Sequence, residues 1–427
     1  MSTLIKSTEP LERIPSLDFL RGIAILGILF INIENFAYPD PWSPWKYGYE
    51  GAIDYSTRFW VYFLTQGKFY TMFALLFGVG FYIFLERLEK KQLGLMSMDI
   101  YAKRLLWLFV IGIAHSYLIW NGDVLYHYAI CGFLLFPFRS IKTPNLLLII
   151  AFLAVLQLAK SYEQTMNRKV RQENYIKALS LQEDQRSSED HKSIQIWEKQ
   201  TKKKEPDTST YVAPKKTYWV GLQVTYEHAS AHKGLLYYQG LLFPSLIIMI
   251  LGIVLYRSGI FHNYQNWKYY WIVSFGMLSV GLIINYLRFY QWTFEYFEPV
   301  TDIWEGFLFT FPKDILGIGY VLILNGTFQK FLKSKKSNLI SKVGRMALTN
   351  YIFQNIVLGF MFYGYGLALF NQFSRIELLW IVGIIWTIQL MLSWLWLRKF
   401  QQGPLEWLWR KLTYRGLVKA IPIKNDR

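Results

Sequence analysis

The sequence predicts an all-α, polytopic membrane protein of about ten transmembrane helices with both termini in the cytoplasm, and three observations carry that prediction. Hydrophobic residues make up 53% of the 427, charged residues only 18%, and Phe, Trp and Tyr 19%, a balance that cannot furnish a water-exposed surface. Several apolar stretches reach the roughly 18–20 residues that cross a hydrocarbon core. Strand-length alternation of apolar and polar residues is missing, which argues against an outer-membrane barrel.

In chain order the spans are expected at 17–38, 67–86, 104–121, 124–138, 145–160, 237–256, 268–288, 309–330, 345–368 and 377–398. The fourth and fifth are short and call for tilt or protein neighbours. Asp18 and Arg21 inside the first span, with no small-residue cleavage site after it, argue against a signal peptide. Lys and Arg number 26 in the loops on the side of the N-terminus and 5 in the short loops opposite (Lys46, Arg58, Lys68, Arg288 and Arg375), which sets both termini and the Lys333–Lys336 cluster in the cytoplasm. Long loops translocate largely regardless of charge, so residues 161–236 are expected outside. The chain thus divides into an N-terminal bundle of five spans (1–160), a partly helical extracytoplasmic segment (161–236) with a flexible middle around Lys202 to Pro214, a C-terminal bundle of five spans (237–398), and a basic cytoplasmic tail (399–427). Two further outer stretches, Tyr38 to Tyr49 and Phe289 to Phe311, are crowded with aromatic rings that suit the interface or the roof of a cavity.

The net charge of +17 would suggest nucleic acid in a soluble protein. Here the excess sits in particular loops, so it reads as topology and contact with anionic lipid headgroups, with no nucleic-acid partner. The single Cys131 allows no internal disulfide and no thiolate cluster. No Walker loop, paired metal-binding histidines or nucleophile elbow is present, and no metal is expected.

Polar residues within apolar spans are the candidates for chemistry, because they are expensive in lipid and turn towards the bundle interior. Asp18 and Arg21 share a face of the first span with Asn32 three turns on; a local ion pair with Arg21 snorkelling to headgroups is the alternative. His115 falls deep in the third span above Gly112, a small residue that permits close helix approach. Asp123 follows at the hairpin, then Tyr126 and His127 one turn into the fourth span. Such a group could bind and deprotonate an acceptor hydroxyl or amine; equally, His115 could bond a helix carbonyl and Asp123 cap the next helix. In the ninth span Asn350 and Gln354 share a face, either steadying a ligand or joining helices. Arg345, with Lys342, Lys103 and Arg104, forms a cytoplasmic basic set suited to phosphates or to lipid headgroups. Lys68, and Lys313 beside Asp314, fall at outer helix ends, where snorkelling competes with a role in acceptor binding.

The runs LDFLRGIAILGILFIN (Leu17–Asn32), FALLFGVGF (Phe73–Phe81), RLLWLFVIGIAHSYLIWNGDVLYHYAICG (Arg104–Gly132), GRMALTNYIFQN (Gly344–Asn355) and PLEWLWRKLTYRG (Pro404–Gly416) resemble the YeiB-like, or DUF-418 domain, family of bacterial membrane proteins. That resemblance covers nearly the whole chain outside the 161–236 segment and implies the bacterial cytoplasmic membrane. The first span is also similar to that of transmembrane acyltransferases, the heparan glucosaminide acetyltransferase and acyltransferase-three groups, with Arg21 and Asn32 at the matching Arg-Gly and later Asn. This wider resemblance implies acyl transfer from cytosolic acyl-CoA to an extracytoplasmic acceptor such as a saccharide or glycolipid. On that reading Arg21, Arg104, Arg345, Asn350 and Gln354 hold the donor. Asn32 polarises a carbonyl, His115 and Asp123 move the proton, and Tyr126, His127, Lys68 and Lys313 meet the acceptor. The chain has no His before His115, so a general base must come from His115, His127, His191, His228, His232 or His262, and His115 is preferred for its depth. A transporter or lipid flippase using the same polar interior, and an assembly factor acting through the outer segment, are the competing classes.

Overall fold

A computed structural model describes residues 13–38, 51–201, 235–290, 299–332 and 338–415, without the side chains of 235–241 and 290. The Lys333–Lys336 cluster, nearly all of the stretch from Tyr38 to Tyr49, the segment from Lys202 to Pro214, and His228 and His232 lie outside the described residues. All regular elements among the described residues are helical.

The first helix, α1 (Pro15–Ala37), starts on a proline at its first turn and places Asp18 beside the positive end of its dipole. It is the axis of the fold. Within its most apolar 18-residue window 72% of residues are buried, against 6% for α6 (Thr143–Ser180), so α1 lies inside the bundle and α6 offers its side chains to lipid. The end where α1 begins is called proximal below, and the opposite end distal.

Helices α2 (Ala52–Thr65) and α3 (Lys68–Lys90) are joined by Gln66 and Gly67, the latter at φ +77°, a conformation that favours glycine. The sequence suggested a loop around Arg58. Instead the stretch is helical, because Thr57, Arg58, Val61 and Tyr62 form a buried face. Next come α4 (Leu95–Leu118) and α5 (Leu125–Leu135). A side chain at Gly112 would strike the backbone of Tyr126, so the close approach expected there exists and packs α4 on α5. Helix α6 has 38 residues, about 57 Å at 1.5 Å per residue, well beyond a hydrocarbon core of about 30 Å. It runs unbroken through residue 160, and α7 (Ser188–Thr201) folds back on it with Trp197 stacked on Tyr175 at 5.9 Å.

The second half comprises α8 (Leu235–Arg257), α9 (Tyr270–Tyr290), α10 (Ile303–Leu308), α11 (Pro312–Thr327), α12 (Leu339–Arg345), α13 (Ala347–Phe362), α14 (Arg375–Lys399) and α15 (Pro404–Tyr414). Helix α1 packs against α3, α12, α13 and α14. Its crossing with α12 is so close that a side chain at Gly344 would overlap the backbone of Asp18 and Gly22. Each of the ten expected stretches falls on a helix. Six apolar runs, α1, α2 with α3, α6, α9, α10 with α11, and α14, are long enough to cross a membrane. Leu242–Arg257 and Ala347–Phe362 are shorter apolar helices, and α5, at 11 residues, is well short of the ~20 that a span needs.

Candidate active site

His115, near the distal end of α4, sits between two polar partners. Its Nδ1 lies 2.9 Å from Oδ1 of Asp123, both side chains being essentially without solvent exposure, and its Nε2 lies 3.0 Å from Nδ2 of Asn355 on α13. The other oxygen of Asp123 accepts the backbone N–H of Tyr126 at 3.1 Å. Asp123 thus caps the start of α5 with one oxygen and lies in close contact with the imidazole through the other. The Asn355 amide facing Nε2 suits a tautomer that carries its lone pair there, the form a general base requires. The ring also packs on Tyr351 at 5.3 Å. Gln354, next to Asn355, donates to the Ile25 carbonyl, and Trp120 packs against Phe36 at 5.0 Å.

Asn32 is 5% exposed, and its Nδ2 has no acceptor among the described residues. Helical phase puts it on the face of Arg21, eleven residues and about 16 Å away along the axis. Tyr126 and His127 are both buried. His127 Nε2 meets Ser245 Oγ of α8 at 2.9 Å, and the same hydroxyl meets Tyr70 OH of α3 at 2.8 Å, so this histidine belongs to a separate chain of hydrogen bonds.

Asn350 and Gln354 join helices. Asn350 Nδ2 donates to the Val343 carbonyl and to Ser393 Oγ; Gln354 donates to Gln389 Oε1 at 2.9 Å, and Gln389 in turn to the Asn350 carbonyl. The ladder ties α13 to α1 and α14, satisfying amides that lipid could not.

At the proximal end Arg21 pairs with Asp18 at 3.3 Å, with 28% of its side chain still exposed, and its guanidinium reaches the open flank of Gly80. Arg345 donates to the Gln401 carbonyl and Arg410 to Gln402 Oε1. Burial, then the nearby charge of Arg13, lowers the pKa of Arg345 against the pull of Asp18. Burial and Arg13 act the same way on Arg410, so three arginines share one electrostatic neighbourhood. Arg104 lies within electrostatic reach of Arg21 and Arg410, but its guanidinium is stacked over the rings of Phe84 and Trp409 at 4.6 and 3.9 Å, and Trp409 Nε1 donates to its carbonyl. Glu406 accepts from the N–H groups of Leu348 and Thr349, capping the start of α13, and burial raises its pKa.

At the distal end Lys68 is fully buried, its ammonium donating to the Tyr62 carbonyl at 3.1 Å. Lys313 lies across Gly67. Sequence reasoning did not select Glu34, whose Oε2 joins Arg58 at 2.9 Å and Arg375 at 2.7 Å. A carboxylate two residues beyond Asn32 in an apolar span was the available signal. Asn355 and Ser245 were likewise not selected.

The structure is thus that of an all-helical, multi-pass membrane protein with a buried His–Asp pair inside the bundle and arginines at one end, and comparison with known proteins shows which families it resembles. Residues 13–197 match the family model described as heparan-alpha-glucosaminide N-acetyltransferase, catalytic, a stretch that includes Arg21, Asn32, Lys68, Arg104, His115, Asp123, Tyr126 and His127. Residues 255–416 match the model described as protein of unknown function (DUF418), which includes Lys313, Arg345, Asn350 and Gln354. The chain belongs to the YeiB-like DUF418 family: it is 31% identical to uncharacterized protein YeiB of Escherichia coli (strain K12), over 96% of this chain and 99% of that one. It is 30% identical to uncharacterized protein YxaH of Bacillus subtilis (strain 168), over 94% of each. No solved structure matches.

Proposed function

We propose that this protein is an acyltransferase of the bacterial cytoplasmic membrane, with about ten spans and cytoplasmic termini, that moves an acyl group from cytosolic acyl-CoA to the hydroxyl or amine of an extracytoplasmic acceptor. The observation that carries this reading is His115 held between Asp123 and Asn355 at no solvent exposure, within the stretch similar to an acetyltransferase catalytic region. The proximal end would then face the cytoplasm, and Arg13, Arg21, Arg345 and Arg410 would neutralise the phosphates of coenzyme A. The pantetheine arm would run along α1 towards Asn32.

In the transfer step the acceptor takes the place of the Asn355 amide at His115 Nε2 and gives that nitrogen its proton. Its freed electron pair attacks the thioester carbonyl carbon. Asn32, whose amide N–H lacks an acceptor, donates to the oxygen as negative charge develops on it. The carbon–sulfur bond then breaks, and coenzyme A leaves as a thiolate that takes the proton from His115, while Asp123 stabilises the imidazolium in between. Purified protein that is correctly folded but binds no acyl-CoA would remove this reading. Binding that weakens in Arg345→Ala, with labelled acyl groups appearing on added saccharides or glycolipids, supports it.

A further inference from the structure

Lys68, Arg288 and Lys313 gather at the distal end near the carboxylate of Asp314, with Arg168 also beside Arg288. Lys68 opens α3 and is completely buried; Arg288 closes α9 and Lys313 falls in the first turn of α11, both half-buried. Lys68 Nζ and the Arg288 guanidinium face the same Phe289 ring, at 4.4 and 5.5 Å. Arg288, Lys313 and Asp314 all lie within electrostatic reach of Lys68. Among the described residues none of the three cations has a carboxylate within ion-pair distance. Asp314 is engaged elsewhere, accepting from Thr71 Oγ1 at 2.6 Å. The backbone adds to the same field, since α3 and α11 both begin here and present the positive ends of their dipoles.

Like charges gathered away from water are unfavourable unless a proton is given up or an anion joins them. Lys68, with no exposed surface, cannot relieve the cost by snorkelling. Arg288, Lys313 and the nearby Arg168 leave the junction with more positive than negative charge, which a phosphate monoester, close to doubly negative at neutral pH, would balance. We infer that the junction of α3, α9 and α11 binds a phosphate group through Lys68, Arg288 and Lys313. The ligand lies beside Tyr70, whose ring is 5.6 Å from Lys313 Nζ and whose hydroxyl continues through Ser245 to His127, four residues beyond Asp123. Naming this phosphate as part of the acyl acceptor rests on the acyl-transfer reading; the binding itself does not.

The test uses the full chain in phosphatidylcholine nanodiscs without acyl-CoA. One arm titrates inorganic phosphate and reads thermal stability and phosphorus NMR line width. The other exchanges in phosphatidylglycerol and counts retained lipids by native mass spectrometry. Saturable binding in the first arm alone identifies a soluble phosphate ester as the ligand type, retention in the second a lipid headgroup, and either result supports the site. Affinity should fall at least tenfold in Lys313→Gln and in Arg288→Gln, half-buried positions whose replacement spares the core, and should be unchanged in Lys192→Gln on the exposed face of α7. Binding in neither arm, or binding equal in wild type and Lys313→Gln, overturns the inference. Phosphate binding by a protein that transfers no acyl group would overturn the acyl-transfer reading and leave this site standing.

Discussion

Asp123 divides its carboxylate between two tasks, meeting His115 Nδ1 at 2.9 Å with one oxygen and the N–H of Tyr126 at 3.1 Å with the other. One side chain therefore touches both the start of α5 and the imidazole. Because Gly112 lets the two helices touch at that turn, the geometry depends on the α4–α5 hairpin and not on a mobile loop.

The donor end should be sensitive to salt and to charge. Arg345→Ala and Arg410→Ala are each expected to weaken acyl-CoA binding about tenfold or more, the scale of a lost charge-assisted hydrogen bond, and the affinity should fall as ionic strength rises. Arg104→Ala should instead lower the unfolding temperature, since its guanidinium is stacked on two rings. Isothermal titration with acetyl-CoA alongside thermal scanning separates the two behaviours.

Glu34→Ala should be among the most damaging single changes in the protein. It leaves Arg58, 1% exposed, and Arg375, 8% exposed, without the carboxylate they share, and breaking a buried pair in this way costs about 3–5 kcal/mol. Thermal unfolding in detergent measures it. An unchanged midpoint would mean that the Tyr62 and Tyr38 rings beneath the two guanidinium groups suffice to hold them.

The amide ladder gives a contrasting outcome. Gln354→Leu should cost about 0.6–1.7 kcal/mol, the range for interhelical hydrogen bonds in membranes, and leave acyl-CoA affinity unaltered, because Gln354 bonds to Ile25 and Gln389. Lost donor binding in a folded Gln354→Leu protein would assign that amide to the ligand.

Much of this was legible in the sequence because apolar length and polar interruptions are both one-dimensional signals. The helical stretches, the Asp18–Arg21 pair, the close approach at Gly112 and the combination of His115 with Asp123 could all be read from spacing. What could not be read depends on which distant helices meet. Asn355 and Gln354 are neighbours, yet one faces α4 and the other α1 and α14. Ser245 acquires its polar partners only because α8 passes between Tyr70 and His127. Helix α2 escaped notice because 14 residues with Asp54 and Arg58 among them read as a connection, until Glu34 is brought opposite.

Sidedness is directly measurable. With Cys131 buried, a cysteine placed at Glu189 on α7 should react with an impermeant maleimide on intact cells, and one at Lys411 on α15 only after lysis. The reverse pattern would place the arginines of the proximal end outside and leave a cytosolic donor no access to them.

Acyl transfer through His115 is tested most directly by following the label of acetyl-CoA, carried on its acetyl group, into acceptor in nanodiscs holding wild-type or His115→Ala protein, with donor affinity and thermal stability measured on the same samples. The expected result is a fall in transfer of at least about a hundredfold, the usual contribution of a general base, with donor affinity nearly unchanged. Transfer that persists in folded His115→Ala protein would contradict the assignment and leave His115, Asp123 and Asn355 as a lock between α4, α5 and α13.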